Sequence, residues 1–299
     1  MKYSRMIAKS ALIATFATAM AQADTQTFWV SGVDQESGWV DVNKNDIEED
    51  EDDNLCFMAV ASNLITWWQS KYTTYPGIPN GAESVWETYK AATTTSSGGS
   101  VGNAIQWWIS GVYTAQTEEE KQRSVFEYGE QILTTFEGFY YEDYLSTKVF
   151  DEEFNSFYNR KTLNDGFTAG DIISAVQNGC GIALNLNIGH IVTLWGVNCD
   201  TVGNLTGLWL TDSDPAYYNP DAPEGLFEEK VVVKNGKVYL AGDEHGYYKE
   251  SEKINVTGVF SIDPKVSDSW GIPAVPEPTS ATLSLMALAG LAARRRRTR

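Results

Sequence analysis

From Cys56 onward, Phe57, Val60, Ala61, Leu64, Ile65, Trp67 and Trp68 recur at the three- and four-residue intervals of a helical face. That spacing predicts a helix over about 55–70, with Asn54 or Asp53 placed to cap it. Similar spacing predicts helices over 83–92 and 117–136, and the Ser/Thr/Gly-rich stretch 93–102 between them reads as a loop. Another helix is expected over 167–178, with Thr168 and Asp171 at capping-box spacing and Gly179 as its stop. Beyond Gly179 the period shortens to two. "GIALNLNIGHIVTLWGVN" reads as two strands, "LTGLWLTDSD" and "VTGVFSID" as one each, and "KVVVKNGKVYLAG" as a hairpin turning at Asn235-Gly236. "SGVDQESGWVDVNK" reads as an extended lead-in. Helices first and an antiparallel sheet second argue for one α+β domain.

The two ends of the chain do not belong to that pattern. Lys2, Arg5 and Lys9, then an apolar stretch over 11–19 and Ala21-Gln22-Ala23, have the form of a secretory signal over 1–23. At the other end Pro276-Glu277-Pro278, a short apolar run and four consecutive arginines from Arg294 resemble a PEP-CTERM sorting tail over 271–299. That resemblance implies export in a Gram-negative bacterium, transient membrane association through the tail, and residence in the envelope, at the surface or outside the cell. A plain C-terminal anchor is the alternative, and retention or cleavage of the tail is left open. The formal charge is −18, but the two ends hold eight of the 22 basic residues and one acid. Residues 24–275 therefore carry 14 basic and 39 acidic side chains, a net −25. Such a surface repels polyanions, and nucleic acid is not an expected partner.

Three cysteines in an exported chain leave at least one thiol unpaired. Cys180 and Cys199 flank the predicted strand pair, and a disulfide between them is one reading. Cys56 would then be the odd thiol. It stands where a helix begins, at the positive end of the helix dipole, which favours thiolate. Six consecutive acids, Glu48 to Asp53, stand just before it and oppose this. There are two histidines. His245 falls in a polar, loop-like stretch, whereas His190 opens a predicted strand, where it is either structural or a proton carrier. Asp212 and Asp214 end another strand on the same side of it, either as solvated turn acids or as a carboxylate that orients His190.

A cysteine at a helix start and a histidine at a strand start is also the layout of papain-like cysteine peptidases. More specifically, "GWVDVNK", "DDNLCFMAVASNLITWW", "GHIVTLWGVNCDTVGNLTGLWLTDSD" and "VTGVFSIDPKVSDSW" resemble, in order, blocks of the IdeS/Mac family of cysteine endopeptidases. Residues of roughly 75–165 show little of this resemblance. It implies a papain-like α+β fold over 24–270 and hydrolysis of a protein or peptide substrate without a cofactor. The family's best-known members cut immunoglobulin G, but the resemblance does not name this chain's substrate. By position, Cys56 matches the nucleophile, His190 the catalytic histidine, Asp212 the aspartate that orients it and Asp214 the second aspartate of that motif. Lys44 matches a lysine of the oxyanion hole. The Lys44–Cys56 spacing is about two residues longer than the family pattern, and Phe57 replaces a small residue.

Two further readings compete with parts of this. Asp41, Asn43 and Asn45 occupy positions 1, 3 and 5 of a calcium loop ending at Asp52, but position 6 is Asp46 rather than glycine. A solvated acidic loop is the alternative to that metal site. For the whole chain, the alternative to a peptidase is a catalytically silent, surface-associated binding protein on the same fold.

Overall fold

A computed structural model of the chain describes residues 25–44, 54–72, 74–93, 99–111, 138–140, 157–214, 224–241, 254–270, 272 and 274–275. The signal segment, Asn45, the acidic run 48–53, the helix expected over 117–136, His245 and the tail from 276 lie outside the described residues.

Helix α1, Cys56–Gln69, forms where the apolar spacing places it. Of its 14 residues only Cys56 and Thr66 are not buried, the property of a helix surrounded by protein. Its cap differs from expectation. Leu55 takes the N-cap position with no side-chain hydrogen bond, and its carbonyl accepts the N–H groups of Met58 and Ala59 at 2.9 and 3.1 Å. Leu55 is itself buried, so anchoring an apolar side chain there displaces the polar cap at Asn54.

Helices α2, Ala82–Ala92, and α3, Val101–Ser110, pack on α1. Helix α3 starts inside the stretch expected to be a loop. Ser/Gly composition describes only its approach, because Ile105, Trp107, Trp108 and Ile109 are buried and Tyr89 of α2 donates its hydroxyl to the Ala104 carbonyl at 2.8 Å. Helix α4, Ala169–Gln177, has the expected start: the Asp171 carboxylate accepts both the N–H and the hydroxyl of Thr168, at 2.7 and 2.8 Å. Gly179, at φ +77°, ends it in the left-handed region.

The strands are β1 Gln26–Trp29, β2 Tyr158–Thr162, β3 Gly181–Leu186, β4 Ile191–Cys199, β5 Leu205–Thr211, β6 Phe227–Lys234, β7 Lys237–Leu240 and β8 Val256–Ile262. All their pairings are antiparallel, in the order β2-β8-β3-β4-β5-β6-β7. β1 pairs residues 196–199 of β4, beyond the stretch that β3 pairs. β1 and β2 escape a reading by alternation because each is only four or five residues long and largely polar. The β6–β7 turn falls at Asn235-Gly236, both with positive φ, as a two-residue hairpin requires.

Every residue of β4 is buried, which requires cover on both faces of the sheet at its centre. α1 and α4 both pack against β3 and β4. β6, farther out, alternates buried and exposed residues over most of its length. The result is an α+β fold of papain-like type, with the Cys56 helix embedded against the antiparallel sheet.

All three cysteines are free thiols. The β3–β4 register, Ile182 opposite Leu194, puts Cys180 three positions short of Cys199 along β4, too far for the close Cβ approach a disulfide needs. Buried Ile272 and an Ala274–Tyr72 bridge carry the packed unit beyond residue 270.

Candidate active site

Cys56 is the first residue of α1 and is half-buried. The opposite wall comes from the β3–β4 turn. Gly189 adopts φ +77° and the Leu186 N–H bonds the His190 carbonyl at 2.8 Å, so the hairpin closes with His190 at the head of β4. Cys56 and His190 line one cleft of about 520 Å³.

His190 is only 4% exposed, and its Nε2 lies 2.7 Å from Asp212 Oδ1. Nδ1 is therefore the nitrogen left for the thiol side, 4.0 Å from Asp214 Oδ2. Burial opposes charging the ring. The Asp212 charge and hydrogen bond, with the Cys56 contact, more than offset it and push the His190 pKa up to about 10. At neutral pH the ring is an imidazolium.

Asp212 directly follows β5 and is buried. Its Oδ1 also accepts the Asp214 N–H at 2.9 Å, a second donor that holds the carboxylate in place. Asp214 Oδ2 meets Lys44 Nζ at 2.6 Å. Burial raises the Asp214 pKa, and Lys44 and His190 pull it back only in part. The Lys44 side chain is 2% exposed. Its ammonium sits on Asp214, and it is not among the cleft-lining side chains, whereas Asp214 is. The structure thus brings Cys56, His190 and Asp214 together at the cleft, with Asp212 hydrogen-bonded behind His190 and Lys44 one ion pair behind Asp214.

Several residues that sequence reasoning did not single out hold this arrangement. Asn63, two turns along α1 from Cys56, donates to Thr193 Oγ1 of β4 at 3.0 Å and accepts the Val42 N–H at 2.9 Å. One side chain thereby fixes the Cys56 helix, the His190 strand and the segment leading to Lys44. Thr211, next to Asp212, accepts from Trp195 Nε1 at 2.9 Å and donates to the Val40 carbonyl at 3.0 Å. The Lys44 N–H bonds the Ser213 carbonyl at 2.9 Å. The signal for Asn63 was present as a polar residue within an apolar helical stripe.

Asp41, the first position of the calcium-loop reading, accepts the Gly225 N–H at 3.0 Å, and burial with Asp212 and Glu224 nearby pushes its pKa up to about 7 despite that bond. Among the described residues no group of three or more His, Cys, Asp or Glu side chains is arranged to hold a metal ion. Asn43 is among the described residues, whereas Asn45 and Asp52 of that reading lie outside them.

Comparison with known proteins bears on the same residues. The family model described as Mac 1 matches residues 14–77, a span that holds Lys44 and Cys56 but not His190 or Asp212. Among curated proteins, an IgM protease of Streptococcus suis is 24% identical to the chain over 209 residues. That alignment covers 59% of this chain and 17% of the relative, so the chain spans a small part of the relative's length.

Proposed function

We propose that this chain, a member of the Mac family, is an exported cysteine endopeptidase acting through Cys56, His190 and Asp212. The observation that carries the reading is the 2.7 Å His190–Asp212 hydrogen bond, made by a ring that lines one cleft with Cys56. Two further lines support it: the family match over the Cys56 region and the relative named as a protease.

In this mechanism the thiol proton passes to His190 Nδ1. The sulfur adds to the carbonyl carbon of a peptide bond. Backbone N–H groups at the uncapped start of α1 face the developing oxyanion. Lys44 contributes if one of its three N–H groups turns from Asp214 to that oxygen. His190 gives its proton to the departing amine, leaving a thioester on Cys56. A water molecule, deprotonated by His190, then hydrolyses the thioester. Asp212 keeps the ring oriented and stabilises its charge throughout. The substrate is a protein or peptide.

The test is Cys56→Ala in the mature protein, assayed with a broad mixture of protein substrates. Cleavage is expected to fall to background while far-UV circular dichroism is retained. Cleavage that persists in the variant eliminates the peptidase reading. An absence of turnover in the wild type as well would leave a binding protein on the same fold.

A further inference from the structure

Beyond the four residues of the proposed mechanism, the cleft has a second chemical character. Its lining includes Phe57, Arg160, Ile188, Ile191 and Phe260. Arg160 is the one Lys or Arg among the described lining residues, in a chain whose 24–275 segment carries a net −25. It lies on β2 directly opposite Phe260 of β8, with its guanidinium 5.5 Å from the Phe260 ring centre. Arg160 is exposed, and among the described residues no carboxylate forms an ion pair with it. Arg160 helps to lower the Asp165 pKa, but only as a minor cause after the bonds from Thr162.

An arginine laid over an aromatic ring has its planar fork held while its edge N–H groups stay available. Such a fork matches a carboxylate in two parallel hydrogen bonds. Asp214, the one acid among the described lining residues, is paired with Lys44 beside His190, and Arg160 is left to attract an incoming acid. The first turn of α3, at Ser100 and Val101, lines the cleft too, and its dipole has the same sign as Arg160.

Resting on the peptidase reading, we propose that Arg160 is a specificity-determining residue: it selects substrates with a glutamate or aspartate side chain within a few residues of the bond that is cut. The apolar lining around Phe260 takes the aliphatic part of that side chain, and the guanidinium takes its carboxylate. The acid is thus chosen by a local positive site in an otherwise repulsive molecule.

The experiment uses one cleavable, internally quenched peptide frame in which each position flanking the cut is Glu, Gln or Lys in turn. kcat/KM is measured for the wild type, Arg160→Gln and Arg160→Glu. At one position the wild type is expected to prefer Glu over Gln about tenfold. Arg160→Gln should bring that ratio close to one, and Arg160→Glu should turn the preference toward Lys. A wild type with no preference for Glu at any position overturns the proposal, as does a Glu/Gln ratio unchanged in Arg160→Gln. The same peptides, fluorescently labelled, are titrated against Cys56→Ala with and without the Arg160 changes. Arg160-dependent binding of the Glu peptide with no wild-type cleavage upholds the subsite and defeats the peptidase reading. Cleavage without Glu preference does the reverse, and neither binding nor cleavage defeats both.

Discussion

At the residue scale, two carboxylates are held in different ways. Asp212 is satisfied by His190 Nε2 and the Asp214 N–H, and its charge helps raise the His190 pKa to about 10. A histidine raised above its unfolded value near 6.5 contributes stability that is complete below that pH and lost as the pH climbs through 10. Asp212→Asn removes that charge, so His190 should lose its proton at a lower pH. The alkaline limb of the pH–kcat/KM profile is expected to move down, and kcat/KM to fall by about 10²–10⁴; an unmoved limb would mean that Asp212 does not support the imidazolium. Among the described residues Asp41 accepts only the Gly225 N–H, and its pKa is raised to about 7 by burial and by Asp212 and Glu224. Its stabilising contribution is full below pH 4 and is lost between pH 4 and 7, amounting to roughly 4 kcal/mol. Asp41→Asn keeps an acceptor for the Gly225 N–H without the charge. Its Tm advantage over the wild type, read by thermal melts, should be small at pH 4, grow to pH 7 and then level off.

At the scale of elements, what fixes the site is the register among α1, β4 and the segment over 39–44, and Asn63 is common to all three. Asn63→Leu keeps the branched shape of the side chain and a good helix former but leaves the Val42 N–H and the Thr193 hydroxyl without this partner. A loss of roughly 2–4 kcal/mol in urea unfolding is expected, together with weaker Lys44–Asp214 pairing. A variant as stable as the wild type would show that water or a neighbour replaces the amide. The same elements show what the sequence disclosed. α1, α4, β3, β4 and the Asn235-Gly236 hairpin follow from apolar spacing and turn chemistry, which are local properties. β1, β2 and α3 do not: the two strands are defined by neighbours distant in sequence, and α3 begins within Ser/Gly composition. In the site, Cys56 and His190 were legible because a helix start and a strand start are themselves local features. Asn63 showed only as a polar break in an apolar stripe, and Thr211 and Arg160 matter through what they meet across the fold, which no spacing along the chain reports. Lys44 lies between these cases, since motif position singled it out while its ion pair with Asp214 emerged only in three dimensions.

For the whole molecule, the decisive feature is that both walls of the cleft share one hydrophobic core. Met58, Leu64 and Trp68 of α1, Trp108 of α3 and Val192 and Trp195 of β4 belong to a single buried cluster. Cys56 therefore does not ride on a lobe able to unfold apart from the one carrying His190. A core shared in this way favours one cooperative transition over sequential loss of two halves. Buried tryptophans in α1, α3 and β4 report on it from different sides. In urea, tryptophan fluorescence, far-UV circular dichroism and the alkylation rate that Cys56 shows in the folded protein should be lost at one common midpoint. Alkylation lost at distinctly lower urea than helix and sheet signals would show that the site opens locally, with the α1 start detaching from His190 before the core gives way. Since α1 is buried through Gln69 and anchored to β4 by Asn63, detachment of its first turn alone would break the Asn63 links only if the strain spread two turns further. The coincident transition is accordingly the expected result, and Asn63→Leu should be the variant that separates the two signals.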